Sequence, residues 1–182
     1  AVVIGAGLGG QVAWALPHVA PDLTRAIVPV GAPHPLALRS LRSRALSGPA
    51  LQYASLQIPG LAERRLRSRS ALEGLLRSWA GPHTREALAE EAPYYAELLS
   101  RPGAAHSALE PLRNLVLSRA ETAALERPVT VPVLSVQGQL DPVQPAQAYA
   151  RDTHHVTGNL RQATIRRSGH FPQEEAPAEL VR

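Results

Sequence analysis

The sequence contains no cysteine, no methionine and no lysine. Without cysteine there is neither a disulfide framework nor a thiolate site, and redox chemistry says nothing about compartment. The missing methionine extends to position 1, and the chain starts directly inside an apolar stretch, as expected of a chain lacking its natural start. No apolar run approaches the roughly 20 residues of a membrane span, and no leader pattern is present. The expectation is a soluble, cytoplasmic protein with no membrane partner. With lysine absent, all 19 basic residues are arginine, and the net charge is only +4 despite a pI near 10.3. Aromatic residues are scarce, and the densest basic cluster, Arg64, Arg65, Arg67 and Arg69, has no interleaved rings on which bases could stack. It reads as a solvated helix face, so no nucleic-acid partner is expected.

What is present suffices for one core: 182 residues, 45% of them hydrophobic, favour a single domain with an insertion. Residues 1–4 form a short apolar run, and residues 9–18 carry Val12, Ala13, Trp14 and Leu16 at helix-compatible spacing. "RAIVPV" (25–30) reads as a second buried strand ended by the breaker "GAPHP". A strand, helix, strand unit implies parallel pairing. From 36 to 125 alanine, leucine, arginine and glutamate dominate, broken by prolines and glycines without strand-like alternation, which reads as an all-helical insertion. Strand chemistry resumes with "VPVLSVQG" (131–138). A short helix over 145–153, a strand "LRQATIRRSG" (160–169) and a closing helix "PQEEAPAELVR" follow. The expected class is α/β, with about four parallel strands flanked by helices. The expected divisions are a core at 1–38, a helical insertion at 39–127 and the remaining core at 128–182.

The opening "AVVIGAGLGG" fits two chemistries. Gly5, Gly7 and Gly10 satisfy G-x-G-x-x-G behind a strand, the mark of a flavin or nicotinamide site. That site wants an acid about 20 residues on, at the end of the second strand, to hold a ribose. The second strand ends "VPVGAP" without one, and Asp22 precedes the strand. The same ten residues also fit a hydrolase's nucleophile turn whose nucleophile is gone.

The C-terminal fifth favours the second reading. "PVLSVQGQLDPVQPAQ" and "SGHFPQEEAPAELV" resemble the G-x-x-D-P-x-x-P and G-H-F-P-x-x-E-x-P motifs of the α/β-hydrolase superfamily, closest to its epoxide-hydrolase-like branch. By that resemblance Asp141 is the triad acid and His170 the triad base. Independently of the name, both residues fall just past the C-terminal ends of adjacent parallel strands, the edge where open α/β sheets place ligands. An acid held on one imidazole nitrogen fixes the tautomer and leaves the other nitrogen free to move a proton. The front end also resembles that branch: "GAGLGGQVAWAL" and "AIVPVGAPHP" stand where it has G-H-D-W-G-G and A-P-H-P. Gly5, Gly9 and Gly10 match its flanking glycines, and Gly7 falls on the nucleophile's place. Such a turn is strained, and glycine at its apex relieves the strain while removing the attacking oxygen.

Between these ends the resemblance is weaker. "LQYASLQIPGLAERRL" and "HSALEPLRNLV" are similar to the two lid helices that each supply a proton-donating tyrosine in epoxide hydrolases. The first tyrosine's place holds Gln52, with Tyr53 beside it, and the second holds Val116, so neither acid carries over. Tyr94 and Tyr95 read as packing residues, and Trp14 and Trp79 as core. The family mechanism needs a nucleophile, a His-Asp pair and backbone amides for the oxyanion. By resemblance one amide is that of Leu8; the other comes from an H-G-x-P stretch that this sequence does not contain.

The resemblance therefore implies a truncated, impaired hydrolase acting on a small apolar substrate, without cofactor or metal. The alternative is a non-catalytic binding or interaction module on the same fold, and a dinucleotide protein ranks below both. His154 and His155 lack a spaced third ligand and read as an exposed helix end rather than a metal site. His34 in "APHP" reads either as lining the pocket mouth or as part of a rigid loop. The first strand is expected to present an exposed apolar edge: a missing N-terminal half or self-association covers it, or the chain folds poorly.

Overall fold

A computed structural model describes residues 1–39, 55–113 and 117–181 of the chain. Four strands, β1 (Val2–Ala6), β2 (Ala26–Val30), β3 (Val133–Gly138) and β4 (Leu160–Ile165), form one sheet in the order β1-β2-β3-β4. All three pairings are parallel, with Ile4 opposite Val28, Val30 opposite Val136, and Gly138 opposite Ile165. Parallel neighbours require crossovers that return each strand to the same starting edge. Every strand therefore ends on one side of the molecule, where the motif residues lie.

The first crossover is α1 (Leu8–Val19), which follows β1 through Gly7 alone. It lays Ala13 and Trp14 on the sheet against Ile27, Val129 and Val133. Trp14 is wholly buried, and its indole N–H donates to the carbonyl of Ala32 at 2.9 Å, so the largest side chain of this core leaves no donor unpaired. On the other face Val30, Val136 and Ile165 are sealed by Ala176 and Leu180. The expected single closing helix is instead two short turns, α10 (Pro172–Glu175) and α11 (Pro177–Leu180), because Pro177 lacks the N–H a continuous helix needs. These two labels follow α9 (Ala146–Ala150), the turn after β3.

After α2 (Pro35–Arg39), the described chain between β2 and β3 consists of helices joined by turns and loops, with one isolated parallel bridge, Val129 to Val156, shortly before β3. Its helices are α3 (Leu61–Leu66), α4 (Arg69–Trp79), α5 (Arg85–Glu90), α6 (Ala92–Ser100), α7 (Ala104–Arg113) and α8 (Arg119–Glu126). Ser68 caps α4 by accepting from the amide of Ala71, and Ser118 with Glu121 forms a reciprocal capping box on α8. Leu72 and Leu76 of α4 pack with Leu88 and Ala92, and Tyr95 and Phe171 lie against that cluster. Phe171 thereby joins the helical segment to the loop after β4. Arg64, Arg65, Arg67 and Arg69 are exposed, spread over α3, the break after it and the start of α4.

The β1 edge is apolar and open: Val2 is 61% exposed and Ile4 71%. Among the described residues no helix is long and apolar enough to cross a membrane.

Candidate functional site

Gly7 forms the apex between β1 and α1, with φ 54° and ψ −115°. Its N–H donates to the carbonyl of Val30 at 2.9 Å, which pins the apex to the end of β2. The neighbouring glycines differ in what they do. A Cβ on Gly5 would sit 2.1 Å from the carbonyl oxygen of Gly9, and one on Gly10 would sit 2.5 Å from the Ala32 Cβ. These two let helix and strand approach. A Cβ on Gly9 or Gly7 would meet nothing within 4 Å, but only Gly7 lies in the left-handed region. The match of Gly9 to a packing glycine thus has no steric basis, whereas Gly7 adopts a conformation that would strain any other residue, with the space for a side chain unfilled. The described strands run in sequence without reversal, in the order β1-β2-β3-β4.

Asp141 follows β3 and His170 follows β4, and the fold brings them together: His170 Nδ1 lies 2.9 Å from Asp141 Oδ2. The other carboxylate oxygen, Oδ1, accepts from the amides of Val143 and Gln144 at 2.8 and 3.0 Å. This turn bond fixes the acid before the histidine meets it. The acid side chain is 1% exposed and the imidazole 11%. An ionised carboxylate only accepts, so Nδ1 carries the proton and Nε2 presents its lone pair.

The loop that carries His170 is boxed in by glycines. A Cβ on Gly138, at the end of β3, would sit 1.8 Å from the carbonyl oxygen of Gly169. Gly31, with φ 61°, passes so close that a Cβ there would sit 3.0 Å from the carbonyl oxygen of His170. Gly81, after α4, would meet the carbonyl oxygen of Arg167 at 2.3 Å. Three backbone segments approach the histidine as only glycine permits.

Two rings flank the imidazole edge to face, Trp79 at 5.4 Å and Phe171 at 5.3 Å between centroids. The same two residues line a cavity of about 350 Å³ whose other walls include Leu72, Leu76, Leu109 and Tyr95. The size and lining are those of a small-ligand site with few polar groups. Tyr95 packs as expected, whereas Tyr94 is 58% exposed, its ring set at 68° to that of Tyr95 with centroids 5.6 Å apart. Gln52, Tyr53 and Val116 lie outside the described residues. Leu8 is the first residue of α1, so its amide belongs to the helix's initial N–H groups that have no intrahelical acceptor.

A second polar cluster lies under the sheet edge, and the sequence did not announce it. Asp152 is fully buried; its Oδ1 accepts from the backbone N–H of His34 at 2.8 Å and its Oδ2 from Ser135 Oγ at 2.7 Å. Burial pushes this carboxyl up to about 6, against the two hydrogen bonds. His34 is likewise fully buried, which corrects its placement at a pocket mouth; burial, then the neighbouring His155 and His18, hold it down at about 3. His155 stacks on His34 with ring centroids 3.9 Å apart, so it is not the exposed helix end its sequence context implied.

The family model described as "Alpha/beta hydrolase family" matches residues 1–182. No curated protein matches the chain. Among solved structures, Cfl2 from Burkholderia cenocepacia is 25% identical with a TM-score of 0.76, over 98% of this chain and 62% of that one. The epoxide hydrolase CorEH is 20% identical with a TM-score of 0.73, over 99% and 64%. The 2-hydroxy-6-oxo-6-phenylhexa-2,4-dienoate hydrolase from Rhodococcus sp. strain RHA1 is 21% identical with a TM-score of 0.67, over 98% and 60%. The chain thus spans between 60% and 64% of the length of these three structures.

Proposed function

The chain belongs to the alpha/beta hydrolase family, and from that premise we propose that it is an epoxide-hydrolase-like member whose base and acid are in place and whose nucleophile is not. His170 is the base, Asp141 its orienting acid, Gly7 the vacated nucleophile position and the Leu8 amide an oxyanion donor. The helical segment between β2 and β3 is the cap, and the apolar cavity beside Trp79 and Phe171 takes a small apolar ester or epoxide.

The single observation that carries this reading is the pairing of His170 Nδ1 with Asp141 Oδ2 at 2.9 Å beside that cavity. With no attacking side chain at position 7, the covalent route is closed. What remains is direct hydrolysis. Nε2 of His170 takes a proton from water as the water oxygen bonds to the substrate carbon. The bond to the leaving oxygen breaks, and the imidazolium returns the proton to that oxygen. General-base help of this kind is worth roughly 10²–10⁴-fold, far less than a covalent route supplies.

A second reading, a binding module without turnover, is favoured by the glycine at position 7 together with the preserved cavity. Hydrolysis of small aryl esters and aryl epoxides, followed in the purified protein and in His170→Ala, separates the two. Turnover that vanishes in His170→Ala supports the impaired hydrolase. Binding of the same compounds with no turnover in either protein supports the module.

A further inference from the structure

Glu175 closes the C-terminal turn of α10, five residues after His170 and without touching its ring. Its carboxylate gathers the loop on both sides of the histidine. The amide of Gly169 donates to Oε1 and Oε2, each at 3.0 Å, and the amide of Phe171 donates to Oε1 at 3.1 Å. The same carboxylate reaches across to the helical segment: Oε2 accepts from the amide of Gly81 and from Thr84 Oγ1, both at 2.7 Å. The amide of His170, between the two bound to Glu175, donates to the carbonyl of Trp79 at 2.8 Å. Three consecutive amides, 169 to 171, are thus held by one carboxylate and by the last residue of α4.

The contacts leave no slack. A Cβ on Gly169 would lie 2.4 Å from the carbonyl oxygen of Trp79 and 2.5 Å from the Gly81 nitrogen. The turn after α4 and the histidine loop therefore move together or not at all. A carboxylate that only capped α10 would need the amides of its own turn, Phe171 among them; the bonds to Gly81 and Thr84, 94 and 91 residues away in sequence, serve no helix cap.

We propose that Glu175 is a positioning residue for His170, its carboxylate tying the turn after α4 to the histidine loop so that the placement of the helical segment sets the hydrogen bond between His170 and Asp141. The coupling is a property of the pair's geometry and does not depend on whether the chain turns over a substrate.

The test uses the full chain labelled with ¹⁵N. The readout is the Nδ1-bound proton of His170, identified by its disappearance in Asp141→Asn, and its rate of exchange with solvent. Thr84→Val removes the hydroxyl that donates to Glu175 at 2.7 Å and lies 3.2 Å from the carbonyl oxygen of Gly81, and leaves Glu175 and its bonds to Gly169 and Phe171 intact. It is expected to speed exchange about tenfold, the loss of one hydrogen bond to a charged group. Glu175→Gln is expected to speed it further. The indole N–H of Trp14, bonded to Ala32, stays at its wild-type position in both variants and reports that the sheet core is intact. If Glu175→Gln does not fold, Thr84→Val decides alone. A His170 signal with wild-type position and exchange rate in Thr84→Val overturns the proposal, whatever the thermal stability of that variant.

Discussion

Asp141 Oδ2 and His170 Nδ1 meet at 2.9 Å although 29 residues separate them, each carried past the end of its own strand by a turn that fixes it separately. The carboxylate is already bound to the amides of Val143 and Gln144, and the histidine loop is held by the carbonyl of Trp79. The relative position of the two side chains is therefore set by backbone, and the bond between them chooses a tautomer.

That choice is open to direct observation. In Asp141→Asn the side-chain amide keeps its oxygen on the two turn amides and turns its NH₂ toward the imidazole. The donor at the contact is then the asparagine, so the proton moves to Nε2 and the free base is lost. We expect ¹⁵N imidazole shifts of His170 to report the Nδ1–H form in the wild type and the Nε2–H form in the variant. The same tautomer in both would contradict the assignment.

The glycines separate into those that a methyl group breaks and those that it does not. Gly138→Ala sets a Cβ 1.8 Å from the carbonyl oxygen of Gly169, and neither backbone can retreat. We expect a loss of at least about 3 kcal/mol in chemical denaturation. Gly9→Ala meets nothing within 4 Å and lies in the first turn of α1. There alanine should be neutral or stabilising by up to about 1 kcal/mol.

The buried cluster of His34, Asp152 and Ser135 predicts an acid response with two opposing parts. His34 titrates near its ordinary 6.5 when unfolded and at about 3 when folded, so between these values the unfolded chain binds the extra proton and stability falls as pH falls. Asp152 titrates near 3.8 when unfolded and about 6 when folded, so between these values the folded chain binds more protons and stability rises as pH falls. Below pH 6 the carboxyl offsets the histidine. In Asp152→Asn that offset is gone. Between pH 7 and 4.5 the variant should lose of order 1–2 kcal/mol more than the wild type in urea unfolding. Equal losses would show that Asp152 is already ionised in the folded protein.

The sheet and the meeting of Asp141 with His170 were legible in the sequence because each rests on local chemistry. Apolar runs ended by glycine mark β1 and β3, and D-P-x-x-P and G-H-F-P place Asp141 and His170 at strand ends. Asp152 was not legible. Its partner His34 lies 118 residues away, and nothing in "YARDTHH" says that this aspartate, unlike its neighbours, turns inward under the sheet. His155 was misplaced for the same reason, since stacking on His34 is settled by the fold and not by the residues around it. Glu175 stood in plain view in the histidine motif, but its bonds to Gly81 and Thr84 exist only once the helical segment is docked. The flanking glycines look alike in the sequence, although steric need falls on Gly5 and Gly10 and not on Gly9.

The most direct test of the central claim, that Gly7 is a nucleophile position served by His170, is to restore a side chain there. Gly7→Ser places a Cβ where nothing lies within 4 Å, at a backbone cost of order 1–3 kcal/mol for a non-glycine residue at this φ. The purified variant is treated with a fluorophosphonate probe, and the labelled residue is located by peptide mass. We predict a covalent adduct on position 7 in Gly7→Ser, none in the wild type, and none in Gly7→Ser combined with His170→Ala. A folded Gly7→Ser that stays unlabelled, or one labelled equally well without His170, would contradict the account.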